Sequence, residues 1–195
     1  MNRRLVLAST SGARRALMDA LGVPYEALAP GVDEVVPEGT SALGAVAILS
    51  ERKARAVSER EPDALVIGAD QLVTIDGAVL GKPETREAAR AQLSLLLGRT
   101  HEIVTAVSVM GAGFEEHVVD VARLTVYPLS AGELEQYLDL EEWRGCAGGY
   151  RVEGAGQALF QRIEGDRTSI QGLPMLEVVR LLRRAGVPFF RPAGI

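Results

Sequence analysis

Residues 5–22 read LVLASTSGARRALMDALG. The first four of them, Leu5 to Ala8, are apolar and have the pattern of a short buried strand. A hydroxyl-rich turn, residues 9–11, comes next, and the apolar residues after it are spaced as on one face of a helix that stops at Gly22. A strand, a polar turn and a helix in this order are typical of an α/β protein.

The rest of the chain continues this alternation. Helical patterns cover residues 41–57, 84–97, 130–138 and 173–184, and strand patterns cover residues 64–69, 71–75, 78–80, 102–110, 116–126 and 158–163. Turns are predicted at Asp76-Gly77, around Ala112 and over the glycine-rich residues 145–149. Aromatic residues are only 5% of the chain, which favours helices packed on a sheet over a barrel of aromatic-rich hairpins. We therefore expect one continuous domain over residues 1–195.

Composition and charge exclude several functional classes. The formal net charge of -5 argues against a broad electrostatic surface for nucleic acid or for an anionic membrane, so an anionic ligand needs a local basic site. The only cysteine is Cys146, which excludes an intramolecular disulfide and makes a cysteine-based zinc site very unfavourable. The apolar run at the start breaks at Ser9, unlike a signal peptide. We expect a cytoplasmic protein.

Two arginines at the start of the first helix provide the first candidate site. Arg14 and Arg15 lie where the exposed amide groups and partial positive charge of a helix make cations locally unfavourable. A bound anion would resolve this conflict, and the hydroxyls and amides of the turn that begins at Ser9 suit phosphate. The alternative is that Ser11 only caps the helix while both arginines point into solvent.

The second candidate site is Asp70, directly after the apolar run 64–69. Open α/β sheets place ligands at the carboxyl ends of strands, where this aspartate would activate water, bind a divalent metal or only cap a turn. Lys53 and Lys82 supply cations nearby in sequence, and Glu34 supplies a second carboxylate. Taken singly, each lysine fits a solvated surface residue better, and the alternative for Glu34 is an ordinary polar loop residue.

Other familiar sites are missing from the sequence. His101 and His117 have no spaced carboxylate or cysteine partner, so we interpret both as structural and do not expect a zinc site. Neither GxxxxGK[ST] nor a complete GxGxxG occurs.

Several ordered motifs resemble the Maf family of nucleotide pyrophosphatases over nearly the whole chain. They are LASTSGARRALMDALG (7–22), VDE (32–34), ERKA (51–54), GADQLVTIDGAVLGKP (68–83), GRTHEIVTAV (98–107), CAGGYRVEGAG (146–156) and IEGDRTSIQGLP (163–174). The resemblance implies a mixed α/β fold with an elongated central sheet, two lobes with a cleft, and a homodimer. It also implies hydrolysis of nucleoside triphosphates between the α and β phosphates with a divalent cation, Mg²⁺ or Mn²⁺.

The resemblance further implies a role for each candidate residue. Asp70 would accept the proton of the attacking water and, with Glu34, bind the metal. Phosphate binding would fall to the remaining polar candidates, namely Ser9, Arg14, Arg15, Lys53 and Lys82. These roles agree with phosphoryl transfer, in which positioning and charge neutralisation supply most of the catalysis.

Three positions belong to the family's specificity set, namely Ala13, Gln71 and Glu153. One branch of the family prefers dTTP and UTP, with Thr after the aspartate and Ile-Gln-Gly in the later segment, and the other prefers 7-methyl-GTP. Gln71, Glu153 and Cys146 resemble the second branch. A guanine edge presents two adjacent donors that suit a carboxylate, and N7-methylation adds attractive positive charge.

One departure bears on this preference. Family members usually have Pro where this chain has Gly12, and the next residue, Ala13, offers a base no aromatic or basic surface. Both features favour a broader base preference. The alternatives are a dTTP/UTP pyrophosphatase of the same family and a non-catalytic nucleotide-binding regulator of septum formation.

Overall fold

A computed structural model describes residues 3–111 and 113–190. Its strands are β1 (Arg4–Ala8), β2 (Glu26–Leu28), β3 (Ala64–Ile75), β4 (Ala78–Leu80), β5 (Thr100–Gly111), β6 (Phe114–Val126) and β7 (Phe160–Glu164). Its helices are α1 (Gly12–Leu21), α2 (Ala42–Ser58), α3 (Arg86–Leu96), α4 (Ala131–Asp139), α5 (Arg167–Ile170) and α6 (Met175–Arg184). The turn predicted at Ala112 and both ends of the predicted domain lie outside the described residues.

The described strands form one mixed sheet with the order β2-β1-β3-β5-β6-β7, and β4 pairs with β3 beside that path. β1 runs parallel to β2 and β3, whereas the other neighbouring pairs are antiparallel. The strands β3, β5 and β6 are 12, 12 and 13 residues long, which gives the sheet its length. The predicted mixed α/β fold with an elongated central sheet is confirmed.

The local sequence explains the first strand, turn and helix of the chain. Ser11 caps α1 by accepting a hydrogen bond from the backbone N–H of Arg14, and Gly22 ends the helix at a left-handed φ of 69° that glycine adopts without strain. The tight turn predicted at Asp76-Gly77 is also confirmed, because both residues have the positive φ that this kind of hairpin requires.

Asp70 does not end a strand, and that prediction is wrong. β3 is a single strand through Asp70 and Gln71, which pair with Ala106 and Thr105 of β5. The polar side chains interrupt the apolar pattern, but sheet pairing uses backbone groups and continues past them. What ends at this point is β1, whose last residue Ala8 lies opposite Gly68. Asp70 therefore sits just beyond the parallel part of the sheet.

Several boundaries differ from the sequence patterns. β7 starts at Phe160 because the Glu142 carboxylate accepts hydrogen bonds from the amides of Ala155 and Gly156 and fixes a 3-10 turn before it. α6 starts at Met175 and not at residue 173, because Pro174, the residue before the first helical one, has an extended backbone. The strand β2 and the short helix α5 have no clear pattern in the sequence.

Two large apolar cores flank Asp70 along β3. Leu65, Ile67 and Ala69 belong to a core with α1 and α6, while Val73 and Ile75 belong to a second core with α3 and α4. The polar pair of residues 70 and 71 lies between them. The two predicted lobes correspond to these two cores on one shared sheet.

The helix α2 packs closely on β3 and places Lys53 near Asp70. Gly68 allows this approach, because an added Cβ would lie 2.6 Å from the backbone nitrogen of Ala54 and 2.8 Å from its Cβ. The buried hydroxyls of Ser50 and Ser108 are 2.9 Å apart and join the same helix to β5. No helix in the described part of the chain combines the length and apolarity needed to cross a bilayer.

We expect Gly68→Ala to lower the free energy of unfolding by about 1–3 kcal/mol, because a methyl group would push α2 away from the sheet. Urea unfolding measures this change. The matched control is Gly132→Ala, since Gly132 has open space around its Cβ position and a helical location. We expect it to be neutral or slightly stabilising. An equal change in the free energy of unfolding for the two variants would contradict the close approach of α2 and β3.

Candidate functional site

A cleft of about 900 Å³ opens between the two cores. It is bounded by the turn after β1, by α2, by the middle of β3, by the loop after β4 and by residues 144–153. The predicted site residues that line it are Ser9, Ala13, Arg14, Glu34, Lys53, Asp70, Gln71, Lys82 and Glu153. Arg15 lies outside the lining. The cleft implied by the family resemblance is thus present, and it gathers nine of the ten predicted positions.

An ammonium group between two carboxylates forms the centre of the cleft. Lys53 Nζ lies 2.6 Å from Asp70 Oδ1 and 2.6 Å from Glu34 Oε1. The Lys53 and Asp70 side chains are only 8% and 10% exposed, whereas Glu34 is 65% exposed. Removal of two charges from water is costly, so the pair is maintained by mutual neutralisation and short hydrogen bonds. Lys53 is therefore not the ordinary surface lysine of the alternative interpretation.

Glu34 owes its place to a residue that sequence reasoning missed. Arg52 on α2 donates hydrogen bonds of 2.7 Å and 2.8 Å to the carbonyls of Asp33 and Val35, on either side of Glu34. The hydrogen bond from Lys53 holds the pKa of Glu34 below its ordinary value, with smaller contributions from the charges of Lys82 and Arg14. Nothing in the spacing of Arg52 indicates this contact, because the loop approaches α2 only in the folded chain.

The amino end of α1 forms a polar corner of the cleft. Ser9 is buried and its hydroxyl accepts a hydrogen bond from the amide of Ser11. Arg14 donates from Nε to the carbonyl oxygen of Gly172 at 2.8 Å. Burial lowers the pKa of Arg14, and the charges of Asp70 and Glu34 oppose that shift. A guanidinium, a hydroxyl and a helix terminus together suit an anion such as phosphate.

Arg15 and Lys82 differ in their relation to this corner. Arg15 is exposed and donates to the carbonyl of Thr10, so the structure does not bring it into the cleft. Lys82 is exposed at the cleft wall, and its charge acts on Glu34. The predicted phosphate contact of Arg15 stays a prediction.

The segment of residues 144–153 contributes Glu153, one of the predicted specificity residues, to the cleft. Glu153 is 42% exposed, and its Oε1 lies 3.8 Å from Nε of Arg151. Cys146 lines the same wall, and burial raises the pKa of its thiol. Ala13 lines the cleft from α1 and contributes only a methyl group. The segment of residues 144–153 also contributes Arg144 and Arg151 to the lining, so the Glu153 carboxylate has a cation, Arg151, close by.

Behind that wall, His101 serves packing, as the sequence suggested. Its Nε2 lies 2.6 Å from the Tyr150 hydroxyl, and its ring contacts Phe160. Burial lowers the pKa of His101 to about 4, so the ring is neutral near pH 7. His117 is exposed on β6, outside the cleft.

Two carboxylates are available for a divalent cation. Asp70 and Glu34 share Lys53, so their oxygens are separated by no more than two hydrogen-bond lengths. Among the described residues there is no cluster of three or more His, Cys, Asp or Glu. Mg²⁺ is commonly bound by one or two carboxylates together with substrate phosphates and water. The residues thus fit a cation whose shell is completed by a polyphosphate.

Together, the fold and the cleft define an α/β protein with a polar site suited to a polyphosphate. Residues 4–185 match the family model described as Maf-like protein. The chain belongs to this family.

Relatives in the family have two kinds of name. The chain is 44% identical to a protein of Xanthomonas axonopodis pv. citri (strain 306) named "7-methyl-GTP pyrophosphatase", over 94% of this chain and 97% of that protein. It is 39% identical to a Bacillus velezensis protein named "dTTP/UTP pyrophosphatase", over 96% of this chain and 99% of that protein. The Staphylococcus aureus Ham1 protein matches with a TM-score of 0.47 and 16% identity, over 65% of this chain and 73% of that structure.

Removal of Lys53 provides a test of this cluster. In Lys53→Met we expect the pKa of Glu34 to rise towards its ordinary value, because its strongest stabilising hydrogen bond is lost. A ¹³C NMR titration of the side-chain carboxyl group measures the shift. Lys82→Met is the matched control and should raise this pKa less, since Lys82 acts on Glu34 only through its charge. An equal or larger shift in the control would contradict the geometry.

Proposed function

We propose that this chain hydrolyses a nucleoside triphosphate between its α and β phosphates and releases the monophosphate and pyrophosphate. The observation that carries the proposal is the position of the Asp70 carboxylate, 2.6 Å from Lys53 and in the same cleft as Arg14. The family membership and the names of the relatives support it.

The charges of the cleft fit a triphosphate. Arg14, Lys53 and Lys82 supply three of the cations that line the cavity, in a chain whose net charge is negative. Hydrogen-bond donors fixed before the substrate arrives stabilise the charge that develops in phosphoryl transfer at little reorganisation cost. The local basic site that the sequence required for an anion is the set of these three side chains.

Asp70 is the group placed to accept a proton from water. It is nearly buried, and the recorded partner of its carboxylate is Lys53, which is also a candidate ligand for phosphate. A phosphate that draws Lys53 away leaves the carboxylate ready to orient and deprotonate water. The water oxygen then bonds to one phosphorus of the α–β anhydride while the bond from that phosphorus to the bridging oxygen breaks. One water proton passes to Asp70, and the monophosphate and pyrophosphate separate.

We propose Mg²⁺ or Mn²⁺ as cofactor, with Asp70 and Glu34 as its protein ligands. When bound, such a cation lowers the pKa of water and neutralises phosphate charge. Glu34 contributes an exposed carboxylate whose lowered pKa keeps it ionised, which favours cation binding.

We propose 7-methyl-GTP as the preferred substrate. Glu153 presents an acceptor-only carboxylate to the cleft, which suits the two adjacent donors of a guanine edge and the positive charge of its N7-methylated form. A dTTP/UTP preference is the alternative, in line with the name of the Bacillus velezensis relative. We further propose a homodimer located in the cytoplasm, where a single free cysteine would stay reduced.

Asp70→Asn should lower pyrophosphate release by about 10²- to 10⁴-fold, because an amide cannot accept the proton of water. The assay is pyrophosphate release from a panel of triphosphates with and without Mg²⁺. Asp63→Asn, at an exposed position outside the cleft, should keep the full rate. Undiminished release by Asp70→Asn would exclude the proposed base. Nucleotide binding without release in the unmodified protein would favour a regulator instead.

Glu153→Gln should lower kcat/KM for 7-methyl-GTP roughly tenfold while leaving that for UTP nearly unchanged, because it removes a charge-assisted hydrogen bond to the base. Steady-state kinetics with both nucleotides measure the ratio. Glu164→Gln, which removes an exposed carboxylate outside the cleft, is the control. A parallel loss for both nucleotides, or an unmodified protein that prefers UTP, would contradict the proposed base contact.

A further inference from the structure

The amide nitrogen of Gln71 is fully engaged within the protein. Its Nε2 lies 2.5 Å from the carbonyl oxygen of Ser169, 3.0 Å from that of Ile170 and 3.2 Å from Thr105 Oγ1. The Thr105 hydroxyl donates its own proton to the Ser169 carbonyl, so it can only accept from Gln71. Three acceptors around one nitrogen fix the orientation of the amide, because the flipped amide would place oxygen against oxygen.

The Ser169 carbonyl connects Gln71 to the polar corner at the amino end of α1. It accepts hydrogen bonds from Gln71, from Thr105 and from the backbone N–H of Gly172 at 2.9 Å. The carbonyl of Gly172 in turn accepts the hydrogen bond from Nε of Arg14 at 2.8 Å. A continuous path of hydrogen bonds therefore joins the residue after Asp70 to the guanidinium of Arg14.

The segment along this path is shaped to receive Arg14. Gly172 has a φ of +101°, a conformation that glycine adopts readily, and a Cβ there would lie 3.2 Å from Nε of Arg14. Ser169 is fully buried and its hydroxyl donates to Asp120 at 2.5 Å. Because Gly172 engages Nε, the terminal nitrogens of the guanidinium are left to receive an anion in a fork.

We propose that Gln71 is a positioning residue, which sets the place of Arg14 through Ser169 and Gly172 by means of its N–H groups. Its two N–H groups are occupied by backbone and hydroxyl oxygens, so its amide has no donor left for a nucleobase. The inference rests on the proposed function only in taking the anion at Arg14 to be the triphosphate of the substrate.

The test uses Gln71→Met, which keeps the length of the side chain and removes its donors. Tripolyphosphate, which has no base, serves as the probe in isothermal titration calorimetry. We expect its affinity to fall roughly tenfold with an unchanged number of binding sites, because Arg14 is no longer fixed. A merely structural defect would lower the number of sites instead. The control is Gln136→Met, an exposed position on α4 that should leave the affinity unchanged.

Kinetics with two nucleotides separate positioning from base reading. Gln71→Met should lower kcat/KM for both UTP and 7-methyl-GTP, because both nucleotides carry the triphosphate that Arg14 would bind. A changed ratio between them with unaltered tripolyphosphate affinity would overturn the proposal, and so would the absence of any effect on either.

A double-mutant cycle tests the path through Arg14. Arg14→Lys keeps a cation but lacks the planar fork and its Nε–H. In that background, Gln71→Met should weaken tripolyphosphate binding by less than about twofold, because the two residues act as one unit. A full, additive loss would overturn the path.

The experiments distinguish a failure of the proposed function from a failure of the positioning role of Gln71. If the unmodified protein binds tripolyphosphate but hydrolyses no triphosphate, the proposed activity fails while the affinities still decide the role of Gln71. If it binds no tripolyphosphate, the positioning proposal is overturned.

Discussion

The ion pair between Lys53 and Asp70 is the contact around which the site is built. It joins α2 to the middle of β3, with both side chains nearly buried. A buried charge without a partner is strongly destabilising, so each member requires the other. The pair holds only because Gly68 lets the helix lie close to the strand. The close approach of α2 and β3 therefore determines the position of the Asp70 carboxylate.

The cleft lies at the boundary between two apolar cores on one sheet. Where β1 ends beside Gly68, β3 continues with polar residues that no core accommodates. Polar groups at such a boundary must find hydrogen-bond partners or contact water. Asp70 accepts a hydrogen bond from Lys53, and Gln71 donates one to the backbone of the segment before α6. The same need for hydrogen-bond partners therefore shapes both the proposed base, Asp70, and the proposed support of Arg14.

The lining of the cleft combines cations with carboxylates. Arg14, Lys53 and Lys82 line it together with Glu153, which comes from the segment of residues 144–153. Such a mixture suits a molecule with a polyanionic part and a donor-rich or positively charged part. The relatives share the family but differ in the base that their names give.

The sequence by itself determined the α/β class, most helices and strands, and ten candidate site positions, of which nine line the cleft. Periodicity, caps and turn residues encode these features locally, and ordered motifs at fixed spacing identified the family. Only the tertiary structure decided that β3 runs through Asp70, that Arg52 holds the loop of Glu34, and that Arg15 stays outside. Only it revealed the path from Gln71 to Arg14. These contacts join residues far apart in sequence, and local patterns carry no information about which backbone oxygen a distant side chain will meet.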